Sequence, residues 1–261
     1  MKVIERLKTC LSSSWANLNG ALMFYTCLPV PKRFPLEFRW IARWVPCVGI
    51  IIGGLLAVVD CSLSVLQVPV TVGSTLVVAF GIALTGGLHL DGVMDTADGL
   101  AVPDASKRLA VMSDSRMGAF GGMAAVVLLL LKVVALAALV SDRAFVLIAV
   151  AMWGRWGQQW AIACYPYLKK AGKGAFHKAA LPSRWYVLPS LIGIVSVSMA
   201  VGVVGWVPWF LVWRTVMAGW GWALITSAYF YRKLGGHTGD TYGAVVEWTE
   251  ALLLCSLTAG V

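Results

Sequence analysis

The chain has 261 residues, of which 59% are hydrophobic and only 13% charged, and its mean hydropathy is +0.80. That balance excludes a soluble globular domain and points to an all-α, polytopic transmembrane helical bundle, a single integral-membrane domain over 1–261. The formal net charge of +9 comes from 21 Lys and Arg against 12 Asp and Glu, but the cations cluster in a few loops as topology signals, so nucleic acid is not expected as a partner.

Residues 1–43 read as a cytoplasmic, partly interfacial amino-terminal region. Lys2, Arg6 and Lys8 precede a polar Ser-rich stretch, so no cleavable signal sequence is expected. Leu18, Leu22, Phe24 and Tyr25 can form an apolar surface, and Leu28-Pro29-Val30-Pro31 stops any helix. About seven spans follow, near 44–66, 70–90, 119–141, 143–164, 185–204, 206–230 and 244–261, with turns expected at Ser141-Asp142 and Gly205. With these spans, 17 of the 21 Lys and Arg fall in 1–43, 91–118, 165–184 and 231–243. By the positive-inside rule those segments are cytoplasmic. Gly49, Gly53 and Gly54 in the first span would let a neighbouring helix approach closely.

The second span runs into Gly86-Gly87-Leu88-His89-Leu90-Asp91-Gly92-Val93-Met94-Asp95-Thr96-Ala97-Asp98-Gly99. On a helix Asp91, Asp95 and Asp98 project within about 60° of one another. Leu90, Val93, Met94, Ala97 and Ala101 form a separate apolar stripe. Three carboxylates on a short helix are ordinarily a solvated face, but these interrupt a very apolar chain and repel one another unless a cation sits between them. Hard oxygen ligands favour Mg²⁺ or a similar ion.

The next segment carries Asp114-Ser115-Arg116-Met117-Gly118-Ala119-Phe120-Gly121, where glycines beside an acid and a base permit phosphate contact from main-chain N–H groups. Lys132 and Arg155 fall inside spans, so they neutralise buried carboxylates, bind an anionic substrate, or snorkel to the interface, which suits Arg155 near a cytoplasmic end better than Lys132 near mid-span. Arg214 is either an interior cation or part of a Trp-rich interfacial belt. The basic loop 165–184 is expected on the cytoplasmic side, with His177 a solvated residue. Finally Gly235-Gly236-His237-Thr238-Gly239-Asp240 through Glu247 and Glu250 partly echoes the first motif, with Asp240 and Glu247 as a second acidic wall. Six widely spaced cysteines without Cys-x-x-Cys read as packing residues.

Acidic walls, glycines and cations at one membrane boundary suit metal-assisted chemistry on a diphosphate. The three motifs, in this order and over most of the chain, resemble the cobalamin synthase (adenosylcobinamide-GDP ribazoletransferase) family. Leu28-Pro29-Val30-Pro31 also matches its amino-terminal pattern, although Cys27 stands where that pattern has Arg and Val93-Met94 where it has Leu-Ala. The resemblance implies a Mg²⁺-dependent, multi-pass enzyme of a bacterial cytoplasmic (inner) membrane, in contact with the lipid bilayer and with its active site facing the cytoplasm. It implies that a ribose hydroxyl of α-ribazole, or of its 5′-phosphate, attacks adenosylcobinamide-GDP and releases GMP. Asp91, Asp95 and Asp98 are then expected as the catalytic, metal-holding acids, and Asp114, Ser115, Arg116, Lys132, Arg155, Asp240 and Glu247 as substrate-binding residues. A homo-oligomer is left open.

Two other readings fit less well. A CDP-alcohol phosphotransferase-like enzyme would need an Asp-Gly-x-x-Ala-Arg pattern, and here Asp91-Gly92 is followed by Val93-Met94-Asp95-Thr96. A cation-coupled transporter would spread its acids through the bilayer instead of gathering them at one boundary.

Overall fold

The computed structural model describes residues 2–114, 116–169 and 174–259, with side chains from residue 12 onward. Its described residues form eleven α-helices, joined by short 3₁₀ turns: α1 (Lys2–Tyr25), α2 (Val45–Val65), α3 (Val70–Leu84), α4 (Leu88–Ala101), α5 (Arg108–Val111), α6 (Ala119–Ala138), α7 (Arg143–Cys164), α8 (Ala175–Ala180), α9 (Leu188–Val203), α10 (Trp209–Leu234) and α11 (Gly239–Thr258). Three helical stretches are long and apolar enough to cross a membrane, Val45–Val65, Ala119–Ala138 and Arg184–Val203. The bent pair α3 and α4 makes up to four. These helices keep large hydrophobic side chains exposed, among them Val58, Leu130, Val134 and Ile192, as a lipid-facing wall requires.

Helices α7 and α11 form the interior. Nearly every residue of α7 from Val146 to Ala163 is buried, including Trp153 and Trp156, and α2, α10 and α11 pack against it. The expected close approach along the first span occurs at two of its three glycines. A Cβ on Gly49 would lie 2.6 Å from the Ala151 carbonyl oxygen and one on Gly53 would lie 2.4 Å from Ile148 Cα, whereas Gly54 faces open space.

The second span does not continue into the acidic motif. Helix α3 ends at Leu84, and α4 departs at 89° to it. Gly86 and Gly87 make the corner with φ of +60° and +71°, backbone that side chains with a Cβ rarely adopt. The fully buried stripe of α4 is His89, Gly92, Val93, Thr96 and Gly99, while Leu90, Met94, Ala97 and Ala101 are only partly covered. The reason is close packing: a Cβ on Gly92 would lie 2.4 Å from the Asp240 carbonyl oxygen, and one on Gly243 would lie 3.0 Å from His89 Cα. Glycine, not hydrophobicity, lets α4 and α11 cross here, so the helical wheel misjudged the packed face.

The turns at Ser141-Asp142 and Gly205 are present, the latter with φ +77°. Asp60, near the outer end of α2, is bonded to Arg143 at 2.5 and 2.9 Å. Arg214 bonds carbonyls at the end of α11, Ser256 O at 2.7 Å and Ala259 O, which resolves its role as a helix-end cation.

Gly53→Ala should lower stability by about 1–3 kcal/mol through overpacking. Gly54→Ala, one residue on, should be neutral or slightly stabilising. Thermal unfolding of the two variants in the same detergent separates them, and equal melting temperatures would contradict this packing.

Candidate functional site

Two helix N-termini converge beside the acidic motif. Asp91 lies in the first turn of α4 and Asp240 in the first turn of α11, where the positive end of each helix dipole favours a carboxylate. The start of α11 is fixed by a reciprocal capping pair, Thr238 Oγ1 accepting from Thr241 N–H and Thr241 Oγ1 accepting from Thr238 N–H. Asp95 lies within electrostatic range of Asp91, Asp98 and Asp240, and of the cation Lys169. Lys169 Nζ donates to Asp240 Oδ2 at 3.2 Å. A short parallel bridge between Tyr167 and His237, with Leu168 N–H on His237 O at 2.9 Å, holds that lysine in place.

Asp98 has a different task from its two neighbours on the motif. Its Oδ2 accepts from Gly118 N–H and its Oδ1 from Gly121 N–H, both at 2.8 Å, so it caps the start of α6. Cβ atoms on those glycines would lie 2.3 and 2.5 Å from its carboxylate. The main-chain N–H groups expected to meet phosphate are thus taken by a side chain of the protein. Beside them Asp114 and Arg116 form an exposed pair at 2.7 Å, and hydrogen bonds from Arg116 hold the Asp114 carboxyl down to about 2. Ser115, expected with them, lies outside the described residues, as do Lys170 and Lys173 of the basic loop. Lys178 of that loop bonds the last carbonyls of α7, Ile162 O and Ala163 O, at 2.8 and 2.9 Å.

Lys132, Arg155 and Glu247, expected at the substrate, are bonded to one another's partners inside the bundle. Lys132 Nζ donates to Glu247 Oε2 and, at 2.6 Å, to Glu250 Oε2; Arg155 Nη1 donates to Glu250 Oε1, and its Nη2 lies 3.4 Å from His89 Nδ1. Two cations and two anions balance, which is what makes their burial tolerable. Of the three roles open to Lys132 and Arg155, this is the neutralising one, and neither side chain snorkels to an interface.

A cavity of about 110 Å³ opens at the ends of α4 and α11, with Asp91 and Asp240 on it and Tyr25, His89, Gln158, His177 and Tyr242 among its walls. Helical projection separates His89 from Asp91 by about 160°, yet both reach this cavity because it lies across the end of the helix instead of along one side. His177 is not solvated: it is 3% exposed, stacks on Tyr25 at 5.7 Å, and burial pushes it down to about 4. Three buried polar atoms of the residues in these walls have no partner among the described residues: His89 Nε2, Gln158 Oε1 and Tyr242 OH. Each such atom ordinarily costs about 1–3 kcal/mol. The second histidine of the echo differs, since His237 bonds Thr241 Oγ1 at 3.1 Å and Ser227 O at 3.2 Å through its two nitrogens. Tyr25, Gln158 and Tyr242 are not among the expected site residues: Tyr25 reads as apolar surface, Tyr242 is passed over within the third motif, and Gln158 lies in no motif.

Among the described residues no three His, Cys, Asp or Glu side chains are grouped closely enough to form a metal cage. The donor chemistry nonetheless fits Mg²⁺, which usually takes only one or two protein carboxylates and completes its shell with water and substrate phosphates. Asp91 and Asp95, with Asp240 opposite, are hard anionic oxygens of that kind.

The family model for cobalamin-5-phosphate synthase matches residues 17–258. An adenosylcobinamide-GDP ribazoletransferase of Trichormus variabilis is 54% identical over 242 residues, covering 93% of this chain and 96% of its own length. Proteins of the same name from a Synechococcus strain and from Thermosynechococcus vestitus are 49% and 48% identical, covering 94% and 96% of this chain and 97% and 99% of their own. No solved structure matches.

Replacing Lys132 with Met leaves two carboxylates buried around one remaining cation and should cost about 3–5 kcal/mol. Adding Glu247→Gln should return part of that loss. Unfolding in detergent reads both, and a Lys132→Met protein as stable as the parent would show that the network does not hold these helices.

Proposed function

The chain belongs to the cobalamin-5-phosphate synthase family, and on that premise we propose that it is an adenosylcobinamide-GDP ribazoletransferase acting at this cavity. It transfers the cobinamide phosphate group of adenosylcobinamide-GDP to a ribose hydroxyl of α-ribazole or its 5′-phosphate, forming adenosylcobalamin or its 5′-phosphate and releasing GMP. The observation that carries the assignment to this place is the meeting of Asp91 and Asp240 on one cavity at two helix N-termini. The hydroxyl oxygen attacks the phosphorus bearing cobinamide, the bond from that phosphorus to the oxygen of GMP breaks, and a carboxylate takes the hydroxyl proton.

Asp91 and Asp95, with Asp240 facing them, are the residues suited to hold Mg²⁺. When bound there, the ion supplies neutralising charge to the diphosphate and to departing GMP. Asp98 acts at one remove, fixing the loop of Asp114 and Arg116 beside the acids. Arg116 is 88% exposed on its side chain and carries its charge to the open side of the site, where an incoming anion would meet it.

Seven spans remain the reading of the whole chain. Helices α7, α10 and α11 are 22, 26 and 20 residues long, enough for a hydrocarbon core of about 30 Å at 1.5 Å per residue. Their polar residues face one another inside the bundle, which supports their crossing despite lower hydropathy. The placement of 17 of 21 Lys and Arg on the side of the acidic motif supports an active site facing the cytoplasm of a bacterial inner membrane.

Purified protein given adenosylcobinamide-GDP, α-ribazole 5′-phosphate and Mg²⁺ should release GMP. Asp91→Ala should cut that rate at least about 100-fold, the scale of a lost general base or charge clamp, with little change in melting temperature. Asp98→Ala should lower both rate and stability, because it also uncaps α6. Chelation by EDTA should stop turnover and added Mg²⁺ should restore it. Full activity in Asp91→Ala, or indifference to EDTA, would remove the assignment.

A further inference from the structure

We infer that the cavity walled by Tyr25, His89, Gln158, His177 and Tyr242 holds the sugar of the acceptor nucleoside, and that the Tyr242 hydroxyl bonds the ribose hydroxyl that does not react. This deepens the proposed function and rests on it.

The polar inventory of the cavity selects the ligand. Arg155 has only donors to offer, so His89 Nδ1, 3.4 Å from Arg155 Nη2, accepts and the ring proton sits on Nε2. The residues around the cavity therefore carry an N–H donor on His89, an acceptor on Gln158 and a hydroxyl on Tyr242, all buried and all without a partner among the described residues. His89, Gln158 and Tyr242 are 1%, 4% and 1% exposed, so bulk water does not serve them. A ligand that satisfies this set must both donate and accept at neighbouring atoms, and a vicinal diol does so. Among the described residues no Lys or Arg lines the cavity, whereas Asp91 and Asp240 do, which disfavours an unaccompanied phosphate beside them. At about 110 Å³ the space is a few times the roughly 30 Å³ share of a liquid water, the scale of a single ring. A sugar seated there holds one hydroxyl against Tyr242 and His89 and leaves the other toward Asp91, where its proton can be taken.

The test is steady-state GMP release with α-ribazole and with its two monodeoxy analogues, one lacking each ribose hydroxyl. The parent enzyme should give no product with the analogue lacking the reacting hydroxyl. With the other analogue its acceptor KM should rise about tenfold, the scale of one neutral hydrogen bond. Tyr242→Phe should raise the KM for α-ribazole about tenfold, leave the KM for adenosylcobinamide-GDP unchanged, and show no further loss with that second analogue. Its melting temperature should hold or rise, since the hydroxyl removed has no partner in the ligand-free fold. A raised KM for adenosylcobinamide-GDP alone would give the cavity to the guanosine side, and an undiminished deoxy penalty in Tyr242→Phe would remove the assigned bond. Either result overturns the inference, as does a parent enzyme indifferent to the non-reacting hydroxyl, a comparison that needs no variant to fold. If the parent releases no GMP with either α-ribazole or its 5′-phosphate, the functional reading itself fails, a distinct outcome; if it uses only the 5′-phosphate, the same comparison is run with the monodeoxy analogues of that nucleotide.

Discussion

Four helices of this protein meet at charges buried among them. Lys132 of α6 sits between Glu247 and Glu250 of α11, Glu250 also takes Arg155 of α7, and Arg155 reaches His89 of α4. In a low-dielectric interior each charge alone would be prohibitive, and the set is tolerable because signs balance and each charge bonds a group of opposite sign. Helices in lipid gain little from apolar contact with one another, so hydrogen bonds and close van der Waals approach carry their association. The network therefore orients α4 against α11, and the placement of every acid at the site follows from that orientation.

The second constraint is the small size of glycine. Gly92 and Gly243 let α4 cross α11 at backbone distance, and Gly86-Gly87 turn α4 by 89° from the end of α3. Had α3 run straight on, the aspartates would lie along a membrane-spanning helix. Turned aside, α4 directs its first turn at the first turn of α11, and the two positive dipole ends together favour the carboxylates of Asp91 and Asp240 gathered there.

Division of labour among similar residues follows from the same geometry. Asp91 and Asp98 look equivalent in the motif, yet both oxygens of Asp98 are bound by N–H groups of α6, while Asp91 is solvent-exposed on the cavity. His89 and His237 each follow a Gly-Gly pair, yet His237 has both nitrogens bonded within the fold and His89 keeps one nitrogen free. A free buried polar atom is destabilising in the folded chain alone, and such a cost is commonly retained where a ligand completes the bonding.

The sequence by itself determined the helical membrane class, because long apolar runs have no other stable form in lipid. It located the long helices from α2 onward to within a turn or two, though not the 24-residue α1, and it marked the acidic motif, because carboxylates in so apolar a chain are conspicuous. It also carried the family, since the motifs at 86–99, 114–121 and 235–250 are contiguous and specific. Only the tertiary structure decided which polar residues serve one another and which face a ligand. Lys132, Arg155 and Glu247 are chemically as fit for a phosphate or a metal as for a buried ion pair, and the choice depends on helices over a hundred positions apart. Tyr25, Gln158 and His177 carry no local pattern, and Tyr242 stands in a motif whose acids draw the attention; they line one cavity because packing brings the end of α1, the middle of α7, the short α8 and the start of α11 around one small volume.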